Sequence, residues 1–194
     1  MQIDIYDFDK TIVPFDSGSL FCLYCAVHYP WIIICLPIIL IAGILMLVHA
    51  ISFTSFKKTC FMFVPLIPLE KAVNGFWNRH EHEVHKWFFE RKRPCAVISA
   101  SPDFLLEEIA ERLHFDYLIC TRHNRKTGVI IGENCRDEEK VRRFYEQFKN
   151  AEVMDVYSDS LKHDKPIFSL AGGQCYNVVN GELKPFEFDK VYGN

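Results

Sequence analysis

Residues Gln2 to Phe8 interleave polar side chains with β-branched and aromatic ones, a pattern that predicts a first strand. Thr11 to Gly18 carries Pro, Asp, Ser and Gly, which is loop chemistry. A long apolar block follows, interrupted by Pro30 and Pro37, and a second apolar patch lies at Phe61 to Leu69. From Glu70 to Arg93 charged residues alternate with Phe76, Trp77, Trp87, Phe88 and Phe89, predicting an amphipathic helix. Cys95 to Ile98 reads as a buried strand. Ser101-Pro102-Asp103 then offers an N-cap, a first-turn proline and a first-turn acid for a helix to about Leu113. Tyr117 to Cys120 predicts another strand, and Lys126 to Ile130 a hairpin turn with a return strand. A helix opens at Asp137-Glu138-Glu139 and runs to about Lys149, Glu152 to Tyr157 is again a strand, and Pro166 to Ala171 a short helix. Almost continuously apolar strands alternating with helices predict an α/β fold, a Rossmann-like parallel sheet with helices on both faces. The apolar block is then an insertion after the first strand.

Composition narrows this picture. The chain has 194 residues, 49% hydrophobic and 24% charged, which excludes a disordered or collagen-like protein. Its 22 basic and 25 acidic residues give a net charge of -3, so no strongly basic nucleic-acid face is expected. Eight scattered cysteines in a chain able to build a core, with no basic lead or cleavage pattern at the N-terminus, predict reduced thiols and a cytoplasmic setting. Cys22 and Cys25 form a C-x-x-C, but with no strand before it the pair reads as two small core residues. Charge is very unevenly spread. The 40 residues from Ser17 to Phe56 contain no Asp, Glu, Lys or Arg.

Ligands of open parallel sheets gather beyond the carboxyl ends of the strands, and three of the four predicted strands end in polar clusters. These are Asp7-Phe8-Asp9-Lys10-Thr11, Ser99-Ala100-Ser101 and Ser158-Asp159-Ser160, with Asp164 shortly after. Lys140 falls in the first turns of the helix before the last of these strands. His80, His82 and His85 are separated by two, three and five positions, which is not the H-E-x-x-H spacing of a zinc helix, so a solvated face is expected there.

Asp-x-Asp-x-Thr after the first strand, Ser after a hydrophobic strand, then Lys, then Ser-Asp with a further Asp, resembles the haloacid dehalogenase superfamily. Val97-Ile98-Ser99-Ala100-Ser101-Pro102 and Tyr157-Ser158-Asp159-Ser160 are similar to its phosphoserine-phosphatase-like branch, whose helical cap is inserted between the first two motifs. The resemblance implies a catalytic core of residues 1–16 and 92–194 and a cap of 17–91. It implies a Mg²⁺-dependent phosphomonoesterase in which Asp7 is the nucleophile and Asp9 the general acid and base. Asp7, the Asp9 carbonyl and Asp159 would hold the ion, and Thr11, Ser99 and Lys140 would bind the transferring phosphoryl group. Asp164 would serve through water or behind the ligands, since four residues separate it from Asp159 where close relatives more often have three. Asp9 also separates this reading from a receiver-like module phosphorylated on Asp7, which needs no acid two residues on. A phosphotransferase remains an alternative with the same intermediate.

The catalytic assignment constrains the apolar block. Trp31 to Ala50 is long enough to span a bilayer, but one crossing would separate Asp7 from Ser99. Two crossings leave almost nothing for a turn. What remains is a buried cap interior or a shallow hairpin, bent near Pro30 to Pro37, resting on a membrane at its inner face with Lys57 and Lys58 toward headgroups. A cap this apolar predicts a lipid-like phosphomonoester, phosphatidylglycerophosphate being one such compound, with a soluble phosphoserine-type metabolite as the alternative.

Overall fold

The computed structural model describes residues 1–193. Its centre is a six-stranded sheet: β1 (Gln2–Tyr6), β2 (Cys95–Pro102), β3 (Tyr117–Thr121), β4 (Glu152–Ser158), β5 (Cys175–Val179) and β6 (Glu182–Phe186), in the order β3-β2-β1-β4-β5-β6. All neighbours are parallel except β5 and β6. β1 is thus flanked by β2, with Tyr6 opposite Val97, and by β4, with Tyr6 opposite Tyr157.

Helices cover both faces, which is why the inner strands read as continuous apolar runs. Four helices lie between β1 and β2: α1 (Ser17–His28), α2 (Leu36–Leu47), α3 (Phe53–Cys60) and α4 (Leu69–His80). With α5 (Asp103–Arg112) they help bury Tyr6, Phe8, Cys95 and Val97. Ile3, Ile5, Ala96 and Ile98, one position out of phase along each strand, pack on the other face with α6 (Glu138–Gln147) and α7 (Lys165–Phe168). A last short helix, α8 (Phe188–Tyr192), follows β6.

Four sequence expectations are revised. The amphipathic segment 70–93 is not one helix: α4 ends at His80 and two 3₁₀ turns follow, because the His85 N–H is recruited by the Ile12 carbonyl at 2.9 Å while Val84 and Phe88 enter the core. The turn at Lys126–Ile130 leads to a single bridge between His123 and Ile130 rather than a return strand. The β5–β6 hairpin was not anticipated. Finally, the apolar block does not bend between its prolines. Pro30 opens a 3₁₀ segment (Pro30–Cys35) and Pro37 sits in the first turn of α2, positions where proline costs no hydrogen bond.

The reversal comes instead at Val48–Ile51. There His49 has φ +58, the Ala50 and Ile51 N–H groups both donate to the Leu45 carbonyl, and Ser52 caps α3 through Ser55 N. α2 and α3 therefore form the hairpin. Pro30–Leu47 is long and apolar enough to cross a membrane, with mean hydropathy 2.7, yet only 17% of it is buried. α1 does contribute Phe21 and Cys25 to the core, but Ala42 is the only buried residue of α2. The interior of a cap thus describes α1, whereas most side chains of α2 lie at the surface.

Candidate active site

The carboxyl ends of β1, β2 and β4 meet at one place. β1 stops at Tyr6, and the Asp7 N–H still donates to Tyr157 O at 2.9 Å. The chain then turns sharply: Phe8 O receives the N–H groups of Thr11, Ile12 and Val13, and Lys10 takes a left-handed φ of +56. Asp7 and Asp9 therefore lie beyond the regular strand, where the alternation of strand faces does not hold. The turn, not the pleat, sets their carboxylates.

Asp7 is buried, and Lys140 Nζ reaches its Oδ1 at 2.7 Å. The same ammonium sits 2.7 Å from Asp164 Oδ1. Desolvation raises the Asp7 pKa, with Asp164 and Asp9 adding to it and Lys140 opposing. Burial alone would lower Lys140, but Asp7 and Asp164 reverse this and hold it charged. Since Thr11 Oγ1 is 3.5 Å from Asp7 Oδ2, a weak contact, Oδ2 is the freer oxygen.

Asp9 is held from both the insertion and β2. The Ser17 N–H donates to its Oδ1 at 2.7 Å and the Ser101 hydroxyl to its Oδ2 at 2.5 Å, with Ser17 Oγ donating on to Ser101 Oγ at 3.1 Å. Desolvation and Asp16 raise the Asp9 pKa against these hydrogen bonds. A carboxyl whose pKa is raised is suited to giving up a proton.

Two Ser-x-Ser segments build the floor by the same local device. The Ser101 N–H donates to Ser99 Oγ at 3.0 Å, and the Ser160 N–H to Ser158 Oγ at 3.0 Å. Ser158 Oγ donates in turn to Asp164 Oδ2 at 2.5 Å. Thr11 Oγ1 accepts the Asp159 N–H at 2.9 Å, tying the first motif to the last. One carboxylate oxygen from each of Asp7, Asp159 and Asp164 lies within 4.8 Å of the others. Lys140 pairs with two of these carboxylates, Asp7 and Asp164, and Asp159 stands beside them, its pKa raised by burial with the Lys10 ammonium opposing. An all-oxygen acidic set fits a hard divalent ion such as Mg²⁺. Asp164, expected to serve through water or behind the ligands, stands close to Asp7 and Asp159, whereas the Asp9 carboxylate is occupied by the two serines.

A cavity of about 770 Å³ opens over these residues, within the range of about 300–1,000 Å³ that holds a drug-sized ligand. Asp7, Asp9, Lys140, Asp159 and Asp164 line its floor. Its outer wall is apolar: Ile32, Ile33, Leu36 and Ile39 from one arm of the insertion, Phe53, Phe56 and Phe61 from the other.

Sequence reasoning took Ser101 for the helix cap. The structure continues β2 to Pro102, and Asp103 Oδ1 accepts the Phe104 N–H instead, leaving Ser101 free to bind Asp9. It also missed Ser17, which no spacing rule links to Asp9, and turned Lys57 outward. Lys57 Nζ points inward, donating to Ala100 O at 2.6 Å and Asn134 Oδ1 at 3.3 Å. The histidines of the 80–85 segment do not converge: His80 Nδ1 meets Glu83 at 2.6 Å, while His85 stacks on Trp87. All eight cysteines are free.

The profile of the haloacid dehalogenase-like hydrolase family matches residues 5–169. Among solved structures, the chain is similar to a protein of unknown function from Bordetella pertussis Tohama I, with TM-score 0.67, 17% identity, and 87% of this chain and 86% of that one covered. A phosphoserine phosphohydrolase-like protein from Francisella tularensis subsp. tularensis SCHU S4 aligns with TM-score 0.58 and 14% identity over 94% and 90% of the two chains. A substrate-bound phosphoserine phosphatase aligns with TM-score 0.55 and 18% identity over 88% and 82%. Protein CicA of Caulobacter vibrioides is 30% identical over 92 residues, 44% of this chain and 41% of that protein, so the chain spans less than half of this curated relative.

Proposed function

The chain belongs to the haloacid dehalogenase-like hydrolases, and from that premise we propose that it is a phosphomonoesterase acting through Asp7 on amphiphilic phosphate esters at a membrane surface. The observation that carries the substrate class is the cavity, which runs without a break from the carboxylates to the apolar side chains of the α2–α3 hairpin. Ile33 and Leu36 line it and are also 55% and 45% exposed, so its wall continues onto the outer apolar face.

In this reading Asp7 Oδ2 attacks phosphorus in line. As the bond to the leaving oxygen breaks, Asp9 gives that oxygen its proton. Asp9, now a carboxylate, takes a proton from water as the water oxygen attacks the phosphoryl group on Asp7, and the Asp7–phosphorus bond breaks to release inorganic phosphate. Lys140 fixes Oδ1 and Ser99 and Thr11 offer hydroxyl donors, so the polar groups are set before the charge moves. Mg²⁺ at Asp7, Asp159 and Asp164, with the Asp9 carbonyl, would lower the repulsion between nucleophile and ester. Residues 17–91 act as the cap that admits the leaving group.

The membrane enters through geometry. α3 has eight residues, about 12 Å at 1.5 Å each, and leads straight back to the cavity through Lys57. So short a return cannot recross a bilayer, and α2 lies along the surface of one leaflet instead. Trp31, beside Tyr29 and 56% exposed, suits the headgroup boundary. The names of the structural neighbours favour a second reading, a soluble phosphoserine-type substrate.

Rates on a diacyl phosphomonoester in mixed micelles and on phosphoserine, with Asp7→Asn as the blank, separate the two. Hydrolysis of the lipid with the higher kcat/KM, absent in Asp7→Asn, is expected. Hydrolysis of phosphoserine alone overturns the substrate class, and retained activity in Asp7→Asn overturns the nucleophile.

A further inference from the structure

Beside the phosphoryl centre, we propose that Lys57 and Arg136 form a second anion-binding subsite, so that the preferred ester carries another negative group on its leaving alcohol. The inference rests on the phosphomonoesterase reading and deepens it, but not on the substrate being a lipid.

Lys57 is brought into the cavity by α3, and both of its acceptors, the Ala100 carbonyl and the Asn134 amide oxygen, are neutral. Among the described residues it forms no ion pair. A largely desolvated ammonium with only neutral partners is costly unless an anion completes it. Burial accordingly lowers its pKa, with Asp9 and Asp16 pulling the other way. Its position fixes which part of the ester it meets. Ala100 precedes Ser101, whose hydroxyl holds Asp9, the residue that protonates the leaving oxygen. Lys57 therefore stands on the leaving-group side.

Arg136 lines the same cavity. Its guanidinium lies 4.9 Å over the ring of Phe53, on the same helix as Lys57, and its Nη2 is 2.8 Å from His163 Nε2. Asp137, 3.5 Å from Arg136 Nε, balances it only in part and is shared with His163 at 3.1 Å. The insertion meanwhile supplies no carboxylate between Asp16 and Glu70. Asp16 itself caps α1 through Ser19 N. Asp16 also lines the cavity, so Lys57 and Arg136 outnumber the one carboxylate of the cap there, which favours a phosphodiester or carboxylate a few bonds from the scissile phosphate.

Phosphate release with Mg²⁺ from two matched pairs tests this. The lipid pair is phosphatidic acid and phosphatidylglycerophosphate in mixed micelles; the soluble pair is glycerol 3-phosphate and 3-phosphoglycerate. In at least one pair the ester with the second anion should have a kcat/KM about 10- to 100-fold higher, the effect of a charge-assisted contact. Lys57→Met should bring that ratio close to one mainly through KM, Lys57→Arg should keep most of it, and Arg136→Met should lower it. A ratio preserved in the soluble pair with no lipid hydrolysis sinks the amphiphile reading and leaves the subsite standing. No preference in either pair, or a Lys57→Met variant that loses both members of a pair equally, overturns the subsite. No hydrolysis in either pair overturns the phosphomonoesterase reading and the subsite with it.

Discussion

Lys140 touches two buried carboxylates that would otherwise face each other. Lys140→Met should therefore cost about 3–5 kcal/mol in chelator-treated protein, the usual penalty for orphaning a buried charge. Added Mg²⁺ should raise the melting temperature of the variant by more than it raises the wild type's. Equal shifts would mean that the ammonium and the ion do not share the same two carboxylates. His123 makes a pH prediction. Its Nδ1 lies 3.0 Å from the Thr121 carbonyl, its Nε2 has no partner, and its ring sits edge-on to Phe61 and Phe104. Burial pushes its pKa down to about 4, even with Asp103 3.8 Å away. The unfolded chain, titrating near 6.5, binds the proton first, so this contribution to stability is complete above about pH 6.5 and drains away toward pH 4. At most it amounts to about 3 kcal/mol. Urea unfolding across that range should show a shallower pH slope in His123→Phe. At this scale the meeting of Asp7, Asp9, Ser99, Lys140 and Asp159 at one end of the sheet was legible because each sits at a strand end or helix start that the pattern locates. Ser17 and Lys57 were not, since their partners are 8 and 43 residues away and only the packed insertion brings them near.

Among the elements, the turn Asn124–Gly128 locks the core to the insertion. Gly128 has φ +72, and a Cβ there would lie 1.7 Å from the Phe61 carbonyl oxygen. Gly132, with φ +75, faces open space. Gly132→Ala should cost only the backbone strain, about 1–2 kcal/mol. Gly128→Ala should cost distinctly more and impair turnover as well, because Phe61 lines the cavity. Comparable melting temperatures for the two variants would show that the contact yields freely. β1 was legible from polar residues interleaved with β-branched and aromatic ones, β2 from an apolar run buried on both faces, and β4 from its β-branched and aromatic residues. β5 and β6 were not: Cys175–Val179 carries Tyr and Asn, and Glu182–Phe186 mixes Glu, Lys and Pro, as suits strands near a sheet edge. The hairpin was misplaced for a different reason. Its two prolines looked like breakers, yet each opens an element, while the actual reversal uses His49 in a conformation that non-glycine side chains seldom declare.

On the scale of the whole molecule, the proposed membrane contact rests on the outer face of Pro30–Leu47. Ile34, Ile41 and Leu47 are 75%, 59% and 73% exposed and do not line the cavity. Burying such side chains is worth about 1.5–3 kcal/mol each. Replacing all three by Glu should lower co-flotation with anionic vesicles by at least about 100-fold and leave p-nitrophenyl phosphate hydrolysis intact; undiminished flotation would rule out this face as the contact. The uncharged stretch itself was obvious in the sequence. Its orientation was not, because hydropathy counts side chains without saying which neighbours cover them.

The antiparallel β6 has a colloidal consequence. A parallel sheet ending at β5 would present a bare row of backbone donors and acceptors to any passing chain. β6 occupies that row and shows outward a five-residue strand containing Glu182, Lys184 and Pro185, residues that discourage further strand addition. Self-association without a membrane should then proceed through greasy helices rather than by sheet extension. Concentrated protein should form clusters that detergent disperses and that leave an amyloid dye dark.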